Sequence, residues 1–196
     1  DVNIMDFGTK IQMLRKSHGL SQESLANILN INRNNLSRIE TIGREAFKDC
    51  VSLTLNEKDL TKAYALGAKA FEGCEKLTSL DLTALRNAGQ EIFKNCINLE
   101  SVILNERTKL SYGMFVGSGL KEVDIYEKVS IPVFCFALCK SLTKVNIHNS
   151  LVSIDKGAFS ECISLNQMNI LGNVDYIGEQ VFYGDTALES IKLPNN

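Results

Sequence analysis

Residues 42–50 read Ile-Gly-Arg-Glu-Ala-Phe-Lys-Asp-Cys, and the rest of the chain repeats variants of this pattern. Its phenylalanine occurs seven times, at spacings of 24, 22, 22, 21, 23 and 23 residues. The seven positions are Phe47, Phe71, Phe93, Phe115, Phe136, Phe159 and Phe182. Self-similarity at such a period is typical of repeat proteins. The sequence therefore predicts a tandem array of stacked units.

Apolar side chains at further fixed positions accompany each phenylalanine. Five residues before it stand Ile42, Leu66, Ala88, Leu110, Ile131, Ile154 and Ile177. A Leu-x-x-Φ-x-Φ block (Φ apolar) follows later in the unit and begins at Leu77, Leu99, Leu120, Leu142, Leu165 and Leu188. The end of each block alternates apolar and polar residues, as a strand with one buried face does. A unit of about 22 residues is too short to bury this surface alone, so neighbouring units are expected to share a core.

These observations give a specific structural prediction. Residues 77–82, 99–104, 120–125, 142–147, 165–170 and 188–193 should contain the strands of one parallel sheet. All seven phenylalanines should be buried between units. The first unit, with Leu53-Thr54-Leu55 in place of a full block, has a degenerate strand.

The motif resembles a leucine-rich repeat and, more narrowly, Ile-Gly-x-x-Ala-Phe-x-x-Cys-x-x-Leu resembles the BspA-like subfamily. Residues 42–50 match the first part of that motif residue for residue. The resemblance implies a leucine-rich repeat solenoid over residues 41–196, with about six and a half units. It implies an architecture and no particular activity.

Residues 1–40 do not follow the repeat. Phe7, Ile11 and Leu14 recur at helical spacing, and Gly19 ends that helix. Ser21 is a good N-cap for a second helix over residues 22–29, and Asn32 for a third. Three short helices with a tight turn between the second and the third are typical of a helix-turn-helix. The predicted fold class is therefore α+β, with a truncated three-helix unit capping the solenoid.

Residues 19–26 (Gly-Leu-Ser-Gln-Glu-Ser-Leu-Ala) and 36–40 (Leu-Ser-Arg-Ile-Glu) resemble the Xre/Cro repressor family. The resemblance implies that the third helix reads the major groove of double-stranded DNA and that Gln22 contacts a phosphate. On a helical projection, Leu36 and Ile39 share one side of helix three. The candidate DNA-binding residues are Gln22, Arg33, Asn34, Ser37 and Arg38. The alternative is that the helices only cap the solenoid, because the family's remaining helices do not follow Glu40.

Composition excludes several classes of protein. The formal net charge of −2 argues against a protein that coats nucleic acids in general. No run of 18 apolar residues suggests a membrane span, and no secretory signal is visible. The expected location is the cytoplasm, with the cell surface or the exterior as the alternative if an upstream signal has been removed.

The six cysteines follow the repeat and predict no metal site. Five of them share one position, three residues after the phenylalanine: Cys50, Cys74, Cys96, Cys139 and Cys162. Cys135 falls at a position that is apolar in every other unit. We interpret all six as buried thiols, while disulfides between stacked strands remain the alternative. The two histidines, His18 and His148, have no paired ligand nearby in the sequence, so no metal or other cofactor is expected.

No constellation of residues resembles an active site, and the chain is not expected to be an enzyme. Gly43, Gly67, Gly89 and Gly178 share one position in the repeat and are assigned to turns. Leucine-rich solenoids usually bind partners through outward side chains of their strands. In this chain those side chains are mostly small and polar, but Ile103, Tyr126, His148 and Leu171 are bulky. We identify these four as a candidate protein-binding strip.

Two functional hypotheses follow from the sequence. The first is a DNA-binding transcriptional regulator whose repeats bind a protein. The alternative is a protein-interaction scaffold whose helices are a cap. A homodimer through the C-terminal edge, where no capping helix follows Leu193, would supply the two-fold symmetry of an operator reader.

Overall fold

A computed structural model describes residues 40–191 of the chain. The predicted three-helix unit lies outside these residues except for Glu40, as do residues 192–196.

The chain forms a solenoid of short parallel strands joined by tight turns. The strands of its first half are β1 (Thr41–Ile42), β2 (Ala65–Leu66), β3 (Ser79–Asp81), β4 (Asn87–Ala88), β5 (Ser101–Ile103) and β6 (Glu122–Ile125). Those of its second half are β7 (Ser130–Ile131), β8 (Lys144–Ile147), β9 (Leu151–Ile154), β10 (Gln167–Ile170) and β11 (Val174–Ile177). A 3-10 helix, Glu57–Leu60, accounts for the longer first spacing.

The predicted strands form one face of the solenoid, which we call the strand face. It consists of β3, β5, β6, β8 and β10, and each of these lies inside a predicted segment. Partners follow the repeat: Val123 pairs with Val145, and Val145 with Met168. Residues 188–191 form no strand, and the rest of that sixth segment lies outside the described residues.

The prediction of one continuous sheet was wrong. The strand face is divided into a β3–β5 sheet and a β6–β8–β10 sheet. The break follows from a deletion: Cys-x-x-Leu in the neighbouring units becomes Ser118-Gly119-Leu120, which is one residue shorter. Gly119 then runs so close to the previous unit that a Cβ there would lie 2.2 Å from the Ile97 carbonyl oxygen. Lys121 N–H still donates to the Glu100 carbonyl at 3.1 Å, but β5 and β6 belong to separate sheets.

A second row of strands was not predicted. It passes through the position five residues before each phenylalanine and forms the β1–β2–β4 and β7–β9–β11 sheets. Between these sheets Asn105 and Thr108 form a turn, in which Asn105 Oδ1 accepts from the backbone N–H groups of Arg107 and Thr108 at 2.9 and 3.1 Å. Such local side-chain bonds compete with strand pairing. β9 and β11 are longer than the other strands of this row because their units carry one extra residue before the apolar position.

The phenylalanines form one stack through the core. Consecutive ring centroids lie 5.2–6.0 Å apart, and the rings are within 15° of parallel. Six of the seven are buried as predicted, from Phe47 to Phe159. Phe182 is half-buried because it stacks on Phe159 alone. The stack joins all the units into one core.

The segment around each phenylalanine forms a third side of the solenoid, which we call the turn face. In the unit of Phe71, the N–H groups of Lys69, Phe71 and Gly73 donate to carbonyls of the next unit at 2.8–2.9 Å. The residues two before and two after every phenylalanine have positive φ, and nine of these fourteen are not glycine. Every second backbone N–H of this segment thus finds a carbonyl acceptor in the next unit, and the same pattern repeats along the solenoid.

The glycines at the shared repeat position act through close backbone approach. Gly43 begins a turn, since Ala46 N–H donates to its carbonyl at 3.4 Å, but the positive φ in that turn belongs to Glu45. A Cβ on Gly67 would lie 2.4 Å from Arg44 N, and one on Gly89 2.2 Å from Ala68 N. At Gly67 and Gly89, glycine is therefore required by the close approach of the neighbouring unit's backbone and not by the turn conformation.

All six cysteines are buried, and no disulfide joins them. The thiols of Cys74, Cys96, Cys139 and Cys162 each donate to a phenylalanine carbonyl of a preceding unit at 3.0–3.1 Å. Burial raises the pKa of the Cys96 and Cys139 thiols to about 12. Because the thiolate is the reactive form, these side chains are inert structural donors at neutral pH.

Asp185 occupies the cysteine position in the last described unit. It is buried, and its Oδ1 accepts the Cys162 N–H at 2.7 Å, while Oδ2 is buried without a hydrogen-bond partner. Burial raises the pKa of this carboxyl to about 7, against a smaller opposing effect of the hydrogen bond. A raised folded-state pKa means that the folded protein favours the protonated carboxyl. The contribution of Asp185 to folding stability is therefore complete below about pH 4 and is lost as the pH rises through 7.

We expect Asp185→Asn to be more stable than the wild type at pH 8, by about 1–3 kcal/mol, and close to it at pH 4.5. Asparagine keeps the acceptor for Cys162 and cannot ionise. Urea unfolding at both pH values measures the difference. Asp175→Asn, at an exposed site, is the matched control and should change little at either pH. An equal effect of Asp185→Asn at both pH values would contradict the assignment.

Candidate protein-interaction surface

The β6–β8–β10 sheet presents two rows of side chains to solvent. Because parallel strands in register place equivalent residues side by side, each row runs across the units. The first row is Asp124, Asn146 and Asn169, within the strands. The second row is Tyr126, His148 and Leu171, directly after them. Asp124 and Leu171 are exposed, and the other four side chains of the two rows are partly exposed.

Tyr126 and His148 form a stacked pair. Their ring centroids lie 4.5 Å apart, and the rings are within 6° of parallel. His148 Nε2 lies 2.8 Å from Asp124 Oδ1, so that nitrogen carries the proton and donates to the carboxylate. The hydrogen bond and the stack together fix the orientation of the imidazole relative to Asp124 and Tyr126.

The first row is a chain of hydrogen bonds. Asn146 Nδ2 donates to Asp124 Oδ1 at 2.9 Å, and Asn169 Nδ2 donates to Asn146 Oδ1 at 2.7 Å. The bond from His148, followed by that from Asn146, holds the pKa of the Asp124 carboxyl below its usual range. Asp124 therefore stays ionised at neutral pH and fixes one negative charge at the end of the row.

Leu171 and Ile103 complete the predicted strip only in part. Leu171 continues the row beyond His148, its N–H donating to the Ile147 carbonyl at 2.9 Å, and its side chain is 64% exposed. Ile103 is 43% exposed but belongs to the β3–β5 sheet, across the break from Tyr126. The structure thus brings together Tyr126, His148 and Leu171 and leaves Ile103 apart.

The row of Asp124, Asn146 and Asn169 was not identified as part of the site. Its signal is visible in the sequence, since three consecutive units carry Asp or Asn at one position. Such side chains form ladders between strands in register. Together the rows provide an apolar side chain, a pair of aromatic rings, amides and one carboxylate. These groups suit recognition of a polypeptide surface.

Other predicted sites receive no structural description. The DNA-binding residues Gln22, Arg33, Asn34, Ser37 and Arg38 lie outside the described residues. Within residues 40–191, no group of His, Cys, Asp and Glu side chains is arranged to hold a metal ion. In the same range, no helix has the length and apolar character needed to cross a membrane.

One protein-family model matches most of the chain. It is described as a BspA type leucine rich repeat region, and its matches cover residues 18–131 and 108–196. The match begins within the segment assigned to the helix-turn-helix. None of the curated proteins matches the chain.

Three solved structures are similar to this chain. The leucine-rich repeat protein TpLRR of T. pallidum has 25% identity and a TM-score of 0.64, covering 76% of this chain and 72% of its own. A leucine-rich cell surface protein of Faecalibacterium prausnitzii has 21% identity and a TM-score of 0.45, over 80% of this chain and 57% of its own. A leucine-rich repeat protein of Bacteroides ovatus has 20% identity and a TM-score of 0.30, over 81% and 65%. The first of these supports the solenoid fold.

Proposed function

This chain belongs to the BspA-type leucine-rich repeat family, and on that premise we propose that it is a protein-interaction scaffold whose strand face binds a partner protein. The observation that carries the proposal is the row of Tyr126, His148 and Leu171 on three consecutive units. Elsewhere on the strand face the outward side chains are mostly small and polar.

The chemistry of the row fits a protein partner. Leu171 offers apolar area without rearrangement, because it is 64% exposed already. The stacked rings of Tyr126 and His148 are held in place, so little side-chain entropy is lost when a partner covers them. Aromatic anchors beside hydrogen-bonding groups are typical of interface centres. Asp124 favours a partner that brings a cation or an N–H donor to this end of the site.

We expect Leu171→Asp to abolish partner binding and to leave the melting temperature nearly unchanged, because the side chain has few contacts to lose. The immobilised full-length chain is exposed to an extract of its source, and the bound protein is identified and titrated. Val152→Asp, which alters an exposed apolar residue of the second strand row, is the matched control and should bind normally.

Tyr126→Ala is a second test, in which stability is expected to change together with binding. Removing the Tyr126 ring breaks the stack on His148, so Tyr126→Ala should cost about 0.5–1.5 kcal/mol of stability as well as binding. A partner that is retained by Leu171→Asp, or lost equally with Val152→Asp, would contradict the proposed surface.

DNA binding is the competing hypothesis, with residues 1–40 as a separate helix-turn-helix domain and residues 41–196 as the repeats. It rests on the resemblance of residues 19–26 and 36–40 to the Xre/Cro family. The family match that starts at residue 18 includes this stretch and favours the scaffold. A titration with duplex DNA decides between them, since operator binding would weaken steeply with salt and depend on Arg33 and Asn34.

A further inference from the structure

The turn face changes character along the solenoid. In its first three units, charged side chains stand two residues before and one residue after each phenylalanine: Glu45, Lys48, Lys69, Glu72, Glu91 and Lys94. Ion pairs connect these units, including Lys48 with Glu72 at 3.1 Å and Lys69 with Glu91 at 3.3 Å. This part of the turn face is a network of alternating charges.

The units of Phe115 and Phe136 replace this network with an apolar patch. We call it the apolar turn patch, and it consists of Tyr112, Val116, Val133, Phe134 and Leu138. Tyr112 is 42% and Leu138 39% exposed. Phe134 packs edge-on against Tyr112, with ring centroids 6.1 Å apart. Charged units border the patch on both sides.

Two residues of the patch are held in a strained backbone conformation. Phe134 has φ of 54° and Leu138 φ of 60°, where bulky side chains are rarely found. The neighbouring units carry Gly113 and Gly157 at the position of Phe134, and Gly117 and Glu161 at that of Leu138. Bulky apolar side chains at these two positions, where the neighbouring units carry glycine or glutamate, point to a function for them.

The charges on either side of the patch are complementary to each other. Consider two copies whose turn faces meet across a two-fold axis. The axis is parallel to the turn segments and lies between the units of Phe115 and Phe136, so the order of units is reversed in the second copy. The unit of Phe93 then faces that of Phe159, which places Lys94 near Glu161 and Glu91 near Lys156. One unit further out, Lys69 faces Glu179. Each of these three pairs joins opposite charges at adjacent positions along the unit.

We propose that the apolar turn patch binds the same patch of a second copy of this chain, in an antiparallel two-fold arrangement. The two patches form the centre of the interface, and the charged units form its rim. A two-fold contact of this kind is closed, so it produces dimers and no filaments. The contact leaves the strand face free for a partner.

The decisive variant copies the unit of Phe93 into that of Phe136. Phe134→Glu with Leu138→Asn introduces the residues found at the equivalent positions 91 and 95, both of which have positive φ in the folded chain. We expect the wild type to sediment at about twice the monomer mass of 21.7 kDa, and the double variant as a folded monomer with dimerisation weakened at least about a hundredfold. Leu171→Asp, on the strand face, is the control and should remain dimeric.

A charge reversal tests the arrangement of the two copies. Glu161→Lys places a cation opposite Lys94, so the dissociation constant should rise about three- to tenfold at low salt and less at high salt. Lysine is compatible with this backbone position, since Lys69 has φ of 59°. A monomeric wild type, a dimer that persists in the double variant, or an unchanged constant in Glu161→Lys would overturn the proposal.

Discussion

Phe93→Ala should lower the free energy of unfolding by about 3–5 kcal/mol. Phe93 is fully buried and stacks on Phe71 at 5.6 Å and on Phe115 at 5.7 Å, so the substitution leaves a cavity and removes contacts with both rings. Stability in a solenoid depends on contacts between nearest neighbours. Loss of one ring therefore weakens two interfaces.

Urea unfolding measures the size of this effect, and hydrogen exchange locates it. Protection should fall first in the units of Phe71, Phe93 and Phe115. Phe182→Ala should cost less, because Phe182 is half-buried and stacks on one ring only. Ile97→Ala, at a residue of the Phe93 unit that is 54% exposed, is the surface control. Equal costs for Phe93 and Ile97 would contradict the role of the stack.

Gly89→Ala should be nearly as damaging, at about 3 kcal/mol or more, although it adds a single methyl group. A Cβ on Gly89 would lie 2.2 Å from Ala68 N and 2.5 Å from Gly67 C. Both contacts are with backbone, which cannot move aside as a flexible side chain can. The β2 and β4 units would have to separate, and the bond from Gly89 N–H to the Leu66 carbonyl, now 2.8 Å long, would be lost.

Thermal unfolding tests this prediction against Asn87→Ala, which lies two residues away in β4 and is exposed. Asn87 already carries a Cβ, so its replacement should change stability by less than about 0.5 kcal/mol. If Gly89→Ala resembled Asn87→Ala, the spacing between these units would be looser than the structure indicates.

The stack of phenylalanines and the strands of the strand face could be predicted from the sequence, because burial repeats with the unit. Continuity of the sheet could not be read from apolar positions alone. The break in the strand face lies at the shortened segment of Gly119, and the gap between the two sheets of the second row lies at the turn of Asn105 and Thr108. Apolar residues before the phenylalanine, such as Ile42 and Leu66, signalled burial there but not pairing.

The candidate site was predictable to the same degree. Tyr126, His148 and Leu171 were found because bulky residues interrupt a row of small ones. Ile103 was grouped with them because the break between β5 and β6 is not visible in a list of aligned positions. The apolar turn patch could not be predicted from the sequence. The placement of Phe134 and Leu138 depends on the backbone conformation of the turn, which the repeat pattern does not specify.

The hydrogen bonds of the turn face also bear on how such a chain changes length in evolution. From the unit of Phe47 to that of Phe159, each unit donates three such bonds to the next, from the phenylalanine and from the second residue on either side of it. Duplication of one whole unit therefore places every new residue in surroundings that exist already. Duplication of part of a unit would shift the backbone relative to the next unit, so the N–H donors of the turn face would no longer lie opposite their carbonyl acceptors. Recombination between genes of this kind can thus alter copy number in whole steps while each product still folds.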